Sequence, residues 1–227
     1  MTIKPRALAP GANIGIVAPA SPALDLACVI EGKKLLEGLG FKVTLAPNAL
    51  KMDKYLAGTD QERLADLCEM FLNPDIDGIV CLRGGYGSIR IVPDIDYSLV
   101  RRYPKVLVGY SDITILQLAI LKKTGLVTFS GPMLATEFGC EPDDFTVSHF
   151  IKAITDVSPL GSIPTAPGAA TVTINPGKAS GRLTGGNLSL VAATLGTPYE
   201  IDTHGAILYL EEVDEPPYRV DRLLWQL

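Results

Sequence analysis

The 227-residue sequence predicts an α/β protein built on a parallel sheet. Two observations carry that expectation. Over the first two-thirds of the chain, short apolar runs alternate with stretches of helical periodicity, and strands separated by helices of that length pair in parallel through right-handed crossovers. The composition, 47% hydrophobic, 20% charged and only 7% aromatic, suits an alanine- and leucine-rich globular chain with short connections. The length allows one large domain or two small ones.

Asn13 to Ala18 reads as the first strand. Leu26, Val29, Ile30, Leu35, Leu36 and Leu39 then recur near helical spacing, and Gly40 supplies the stop. Phe41 to Ala46 is a second strand. Thr59 with Glu62 has capping-box spacing and opens a helix whose buried stripe is Leu64, Leu67, Cys68 and Phe71. Gly78 to Leu82 is a third strand, Val106 to Val108 lies in a fourth, and Leu126 to Phe129 is a fifth. The helix between the last two runs from about Asp112 to Lys123, ended by Gly125. After a helical stretch near Phe145 to Thr155 the texture changes. Residues 158–177, rich in Pro, Gly, Ala and Thr, read as a linker between an N-terminal unit, 1–157, and a second unit that begins at 178. The second unit holds a short strand-like piece, a turn at Thr184–Asn187, a helix near Leu188 to Thr194, the strand Ala206 to Leu210 and an amphipathic helix from about Tyr218.

The net charge of −5, with acids and bases mixed along the chain, argues against a nucleic-acid partner. Ile14 to Ala20 is too short for a signal-peptide core, and no stretch approaches membrane-spanning length. Cys28, Cys68, Cys81 and Cys140 are widely spaced without a C-x-x-C, which predicts reduced, mostly buried thiols in a cytoplasmic protein.

In parallel sheets, function gathers at the carboxyl ends of the strands. Three such segments carry chemistry. In Gly109-Tyr110-Ser111-Asp112-Ile113-Thr114 a serine sits directly between a buried strand and a helix. There its hydroxyl can serve as a nucleophile with the helix N–H groups facing an anionic intermediate, or it can simply cap the helix. In Arg83-Gly84-Gly85-Tyr86-Gly87, the glycines allow close backbone approach to a ligand, as half of an oxyanion hole or only as a tight turn. Glu211-Glu212-Val213-Asp214-Glu215 follows a strand: a carboxylate there can orient a histidine, bind a hard metal, or belong to a solvated turn.

Together these segments resemble the serine L,D-carboxypeptidase family, which includes murein tetrapeptide carboxypeptidases and microcin C self-immunity peptidases. The resemblance rests on Val17-Ala18-Pro19-Ala20-Ser21, Arg83 to Gly87, Gly109 to Thr114, Gly185-Gly186-Asn187-Leu188, and Leu210-Glu211-Glu212 running on to Pro217-Tyr218-Arg219-Val220-Asp221-Arg222. It implies a flavodoxin-like N-terminal domain and a smaller, incomplete β-rich C-terminal domain with the site in the cleft between them. It also implies Ser111 as nucleophile and Glu211 as orienting carboxylate, with Glu212 the neighbouring alternative. The backbone N–H groups of Gly85 and Asp112 become oxyanion donors, with Arg83 and Asn187 in the substrate site. The implied reaction releases terminal D-alanine from murein tetrapeptide or a related short peptide in cell-wall recycling, with no metal or organic cofactor. Within the family the other substrate is a peptidyl-nucleotide antibiotic, and a non-catalytic peptide-binding protein is the reading from a different class.

One departure matters. The family's catalytic histidine follows the glutamate, whereas the histidines here, His149 and His204, both precede Glu211. The expectation is therefore an inactive, truncated form of an enzyme. It should associate, as a homodimer, or be partly disordered after about Gly177.

Overall fold

The structure, a computed structural model, describes residues 2–166 and 168–227. Five parallel strands, β1 (Asn13–Val17), β2 (Lys42–Leu45), β3 (Gly78–Cys81), β4 (Val106–Gly109) and β5 (Phe129–Ser130), lie in the order β2-β1-β3-β4-β5. This is the flavodoxin-like order, in which the chain reverses direction across the sheet beside β1. β3 and β4 are buried at every residue and β1 at all but its first, because helices cover both faces. The edge strand β2 alternates between exposed and half-buried positions. The fifth strand is shorter and later than the apolar run 126–129 predicts. Leu126 makes only an isolated bridge to Ile3, and Ser130 pairs with Gly109.

The covering helices are α1 (Leu26–Gly38), α2 (Asp60–Leu72), α3 (Ser88–Ile91), α4 (Tyr97–Arg102), α5 (Thr114–Thr124) and α6 (Asp144–Thr155). Their ends follow local chemistry. Asp25 caps α1, and Thr59 and Glu62 form the full capping box at α2. Gly125, in the left-handed conformation, ends α5. The buried face of α2 is Arg63, Asp66, Leu67, Met70 and Phe71, so the expected stripe is rotated and Leu64 and Cys68 sit only half-buried at its margin. Hydrophobic spacing alone missed this because two charged residues lie on the inward face. The short helices α3 and α4 lack a full period of apolar positions and were not foreseen. The cysteines also differ from expectation, since Cys81 is buried while Cys28 and Cys68 are half-buried and Cys140 is exposed.

Among the described residues, 158–181 carries no helix or strand. The second unit then forms β6 (Arg182–Asn187), α7 (Leu188–Thr194), β7 (Ala206–Glu211) and α8 (Pro217–Gln226), with β6 and β7 paired in parallel from Arg182↔Ala206 to Asn187↔Glu211. Thr184 to Asn187 is therefore strand, not the turn that a Gly-Gly pair predicts. The glycines mark close approach instead. A Cβ at Gly185 would lie 1.8 Å from the Tyr209 carbonyl oxygen, and one at Gly186 would lie 2.6 Å from Thr114 Oγ1. α8 buries none of its residues, and Trp225 is 88% exposed. No described helix is long and apolar enough to cross a membrane.

Candidate active site

β1, β3 and β4 end level with one another, and their following segments meet at the reversal point of the sheet. β4 leads through Gly109 and Tyr110 into a 3-10 turn, Ser111–Ile113, that continues as α5. The turn is sharp: a Cβ at Gly109 would come within 2.9 Å of Ile113 Cγ2. Ser111 has φ of +61°, a left-handed conformation unusual for a residue with a side chain. Neither the 3-10 turn nor α5 has a side-chain cap, so Ser111 is not a helix cap. A Cβ at Gly84 would lie 3.0 Å from Ser111 Oγ and 3.5 Å from the Asp112 nitrogen, so the glycine loop packs directly on the serine.

That loop is held by buried polar groups. Asp112 is 2% exposed, and its Oδ2 accepts the Ser88 N–H at 2.8 Å. Burial pushes the Asp112 carboxyl up, and the hydrogen bonds from Ser88 pull it back in part. The fully buried guanidinium of Arg63 donates to the carbonyls of Pro19 and Gly87 and pairs with Asp60, so it staples the loop after β1 to the loop after β3. Ser21 accepts the Tyr86 N–H at 3.1 Å. Gly85, with φ of +114°, has no room for a Cβ because Ser21 Oγ would stand 2.3 Å away. Arg83 is half-buried, with Nη1 3.5 Å from the Pro22 carbonyl and Nε buried without a partner among the described residues.

The second unit brings the carboxylates. β6 docks on the first turn of α5, where the Asn187 N–H donates to Thr114 Oγ1 at 3.0 Å. Because Asn187 and Glu211 pair across β6 and β7, this contact also carries Glu211 to the serine. The two neighbouring glutamates have different surroundings. Glu212 accepts from Asn187 Nδ2, the Ser189 N–H and Oγ, and the Val213 N–H. Burial raises its carboxyl, but these bonds together hold it below the usual range. Glu211 is held above its ordinary value, chiefly by burial and secondarily by the Glu212 charge, against the pull of Asn187 and the Ser111 N–H. Its Oε1 is buried with no hydrogen-bond partner among the described residues. Glu212 is thus consumed by the fold, while Glu211 keeps a free acceptor beside Ser111.

The structure brings the glycine loop with Gly85 against Ser111 and Asp112 and fastens Asn187, paired with Glu211, to the same helix start, while Arg83 at the head of the loop is directed to the Pro22 carbonyl. It does not bring a histidine there. His149 Nδ1 is engaged by the Phe145 carbonyl at 2.8 Å within α6. His204 lies in an exposed turn before β7, whereas Glu211 ends that strand. At about 3.3 Å per residue the two are separated by roughly 20 Å. Among the described residues no group of three or more His, Cys, Asp and Glu side chains is placed to hold a metal. Sequence reasoning missed Arg63 and the docking role of Thr114. The signal for the first was an arginine on the apolar face of a helix, and for the second a threonine one helical turn after the serine.

Comparison with known proteins places this architecture. Residues 14–131 match the LD-carboxypeptidase N-terminal domain and residues 180–227 match the LD-carboxypeptidase C-terminal domain. The chain belongs to the LD-carboxypeptidase family, which makes it a hydrolase by descent. A Bacillus subtilis protein named "Probable murein peptide carboxypeptidase" is 45% identical over the whole of this chain and 70% of its own length. The murein tetrapeptide carboxypeptidase of Pseudomonas aeruginosa is 35% identical over 95% of this chain and 71% of its own. Among solved structures, an MccF-like protein of Bacillus anthracis superposes with a TM-score of 0.92 at 31% identity, covering 99% of this chain and 75% of that one.

Proposed function

We propose that this chain is a serine-type L,D-carboxypeptidase unit that acts on murein tetrapeptide or a related short peptide, releasing terminal D-alanine in cytoplasmic peptidoglycan recycling. The observation that carries this reading is Ser111 itself, with an uncapped hydroxyl on a left-handed backbone. Ser111 attacks the carbonyl carbon of the L,D bond. The N–H groups of Gly85 and Asp112 receive the negative charge that develops on the carbonyl oxygen, a role supported by the packing of the glycine loop on the serine. Glu211 orients and stabilises the imidazolium of a histidine base, and its free buried Oε1 fits an imidazole N–H donor. Arg83 supplies positive charge for the substrate carboxylate, and Asn187 spans the two glutamates.

Neither His149, engaged within α6, nor His204, at the far end of β7, is placed to serve as the base that Ser111 needs. D-alanine release from murein tetrapeptide tests the proposal, with Ser111→Ala assayed beside the parent. Release abolished by Ser111→Ala supports it. No release by the parent sinks the murein reading, and equal release by both removes Ser111 as the nucleophile. The likeness to MccF, solved in complex with glutamyl sulfamoyl guanosine and with aspartyl sulfamoyl adenosine, supports a second substrate, a peptidyl-nucleotide. Its cleavage in the same assay, without D-alanine release, would favour that reading. A homodimer is the assembly we propose, to be checked by sedimentation.

A further inference from the structure

We infer that Cys28 and Cys140 form a reversible intramolecular disulfide site, closed by small-molecule disulfides of the glutathione type. The two are 112 positions apart in sequence, yet their Sγ atoms stand 3.9 Å from each other. Their backbones are brought together by two glycines. A Cβ at Gly139 would lie 2.3 Å from the Cys28 carbonyl oxygen and 2.9 Å from the Cys28 Cα. One turn along α1, a Cβ at Gly32 would lie 2.2 Å from the Leu134 carbonyl oxygen. The segment 134–140 therefore lies backbone-to-backbone on α1 at both points. A disulfide requires Cα atoms roughly 4.4–6.8 Å apart, and the close approach of the backbone at Gly139, next to Cys140, to that of Cys28 favours such a separation. The sulfurs have to close from 3.9 Å to about 2 Å for the bond to form.

Access divides the roles. Cys140 is exposed and meets the reagent; Cys28 is half-buried beneath it. Cys28 is kept a thiol first by its hydrogen bond with Cys140 and then by burial. In the first step the Cys140 thiolate attacks one sulfur of the external disulfide, forming a mixed disulfide and expelling one thiolate. Cys28, losing its proton, then attacks Cys140 Sγ, expels the second thiolate and closes the ring. Two protein thiols are oxidised and one external disulfide is reduced to two thiols. The two remaining cysteines do not compete: Cys81 is buried in the core, and Cys68 is half-buried on α2. The closed bond would also pin the segment that carries Glu137, whose Oε1 accepts the Tyr110 hydroxyl at 2.6 Å beside Ser111.

The test needs no catalysis and is independent of the proposed activity. The folded chain is incubated with excess glutathione disulfide and mapped by peptide mass spectrometry, with free thiols titrated in parallel. The expected result is loss of two of the four thiols, a monomer lighter by two hydrogens, and a Cys28–Cys140 peptide pair that dithiothreitol separates. Cys28→Ser should stall with glutathione on Cys140, while Cys68→Ser should behave as the parent. A lasting glutathione adduct on Cys140 of the parent, a dimer linked between chains, or no reaction would overturn the inference. So would the same cross-link forming equally fast in urea, because the fold would then play no part.

Discussion

At the scale of single residues, the nucleophile candidate is defined by backbone strain. A left-handed conformation at a residue with a Cβ costs about 1–2 kcal/mol, and Ser111 adopts one at +61°. Ser111→Gly should relieve it, raising the thermal midpoint by about 2–4 °C for each kcal/mol relieved, while Ser111→Ala should bring no such gain. Equal midpoints for the two variants would show that the serine is not strained. Glu211 makes a second prediction through its raised carboxyl. The folded protein binds that proton more tightly than the unfolded chain. The resulting stability is therefore complete below the ordinary glutamate range, near pH 4, and is lost as pH rises through the folded value. Glu211→Gln cannot ionise, so its melting point should match the parent in acid and exceed it at neutral pH. A difference that does not vary with pH would refute this account. Both effects lower stability where the chain holds Ser111 and Glu211 in place, as expected where a fold trades stability for a site.

At the scale of elements, the decisive joint is between β6 and α5. Gly186 has φ of +141°, and its missing Cβ lets the strand sit against Thr114. Gly186→Ala should strain the backbone and push β6 away from the helix, costing about 2–3 kcal/mol. The checks are a denaturant midpoint and the exchange rate of the Asn187 amide hydrogen, which now donates to Thr114 Oγ1. Unchanged exchange would show that the joint does not depend on that glycine. The same joint explains why Glu211 reaches the serine from a separate sheet: strand register places it opposite Asn187, and Asn187 is fastened to the helix that Ser111 begins.

At the scale of the whole molecule, the two units differ in how much they bury. The five-stranded unit has one continuous core from Leu8 to Ile154, whereas Val191 and Ile201 of the second form only a small cluster with Leu118 of α5. Between them, 158–166 and 168–181 are largely exposed and free of regular elements. Limited proteolysis should cut first in these stretches and leave the five-stranded unit intact, because cleavage needs local opening and few contacts oppose it here. First cuts inside α1 to α5 would overturn this expectation.

The sequence by itself determined the fold class, the sequence positions of the central strands, the capping box at Thr59 and the serine at the end of a buried strand. These are written in local patterns, namely apolar runs, helix caps and turn residues, which act over a few neighbours. It left Ser111 between cap and nucleophile, Glu211 beside Glu212 unresolved, and Thr184–Asn187 misread as a turn. Only the tertiary structure decided that 184–187 is strand and which of these side chains the fold already engages, because each depends on which groups lie opposite across a long separation in the chain. Glu212 is satisfied by Asn187 and Ser189, and Gly185 is pressed on Tyr209. Ser111 is left with a free hydroxyl because the loop from Arg83 to Gly87 and the strand ending at Glu211 close around it rather than the helix it begins.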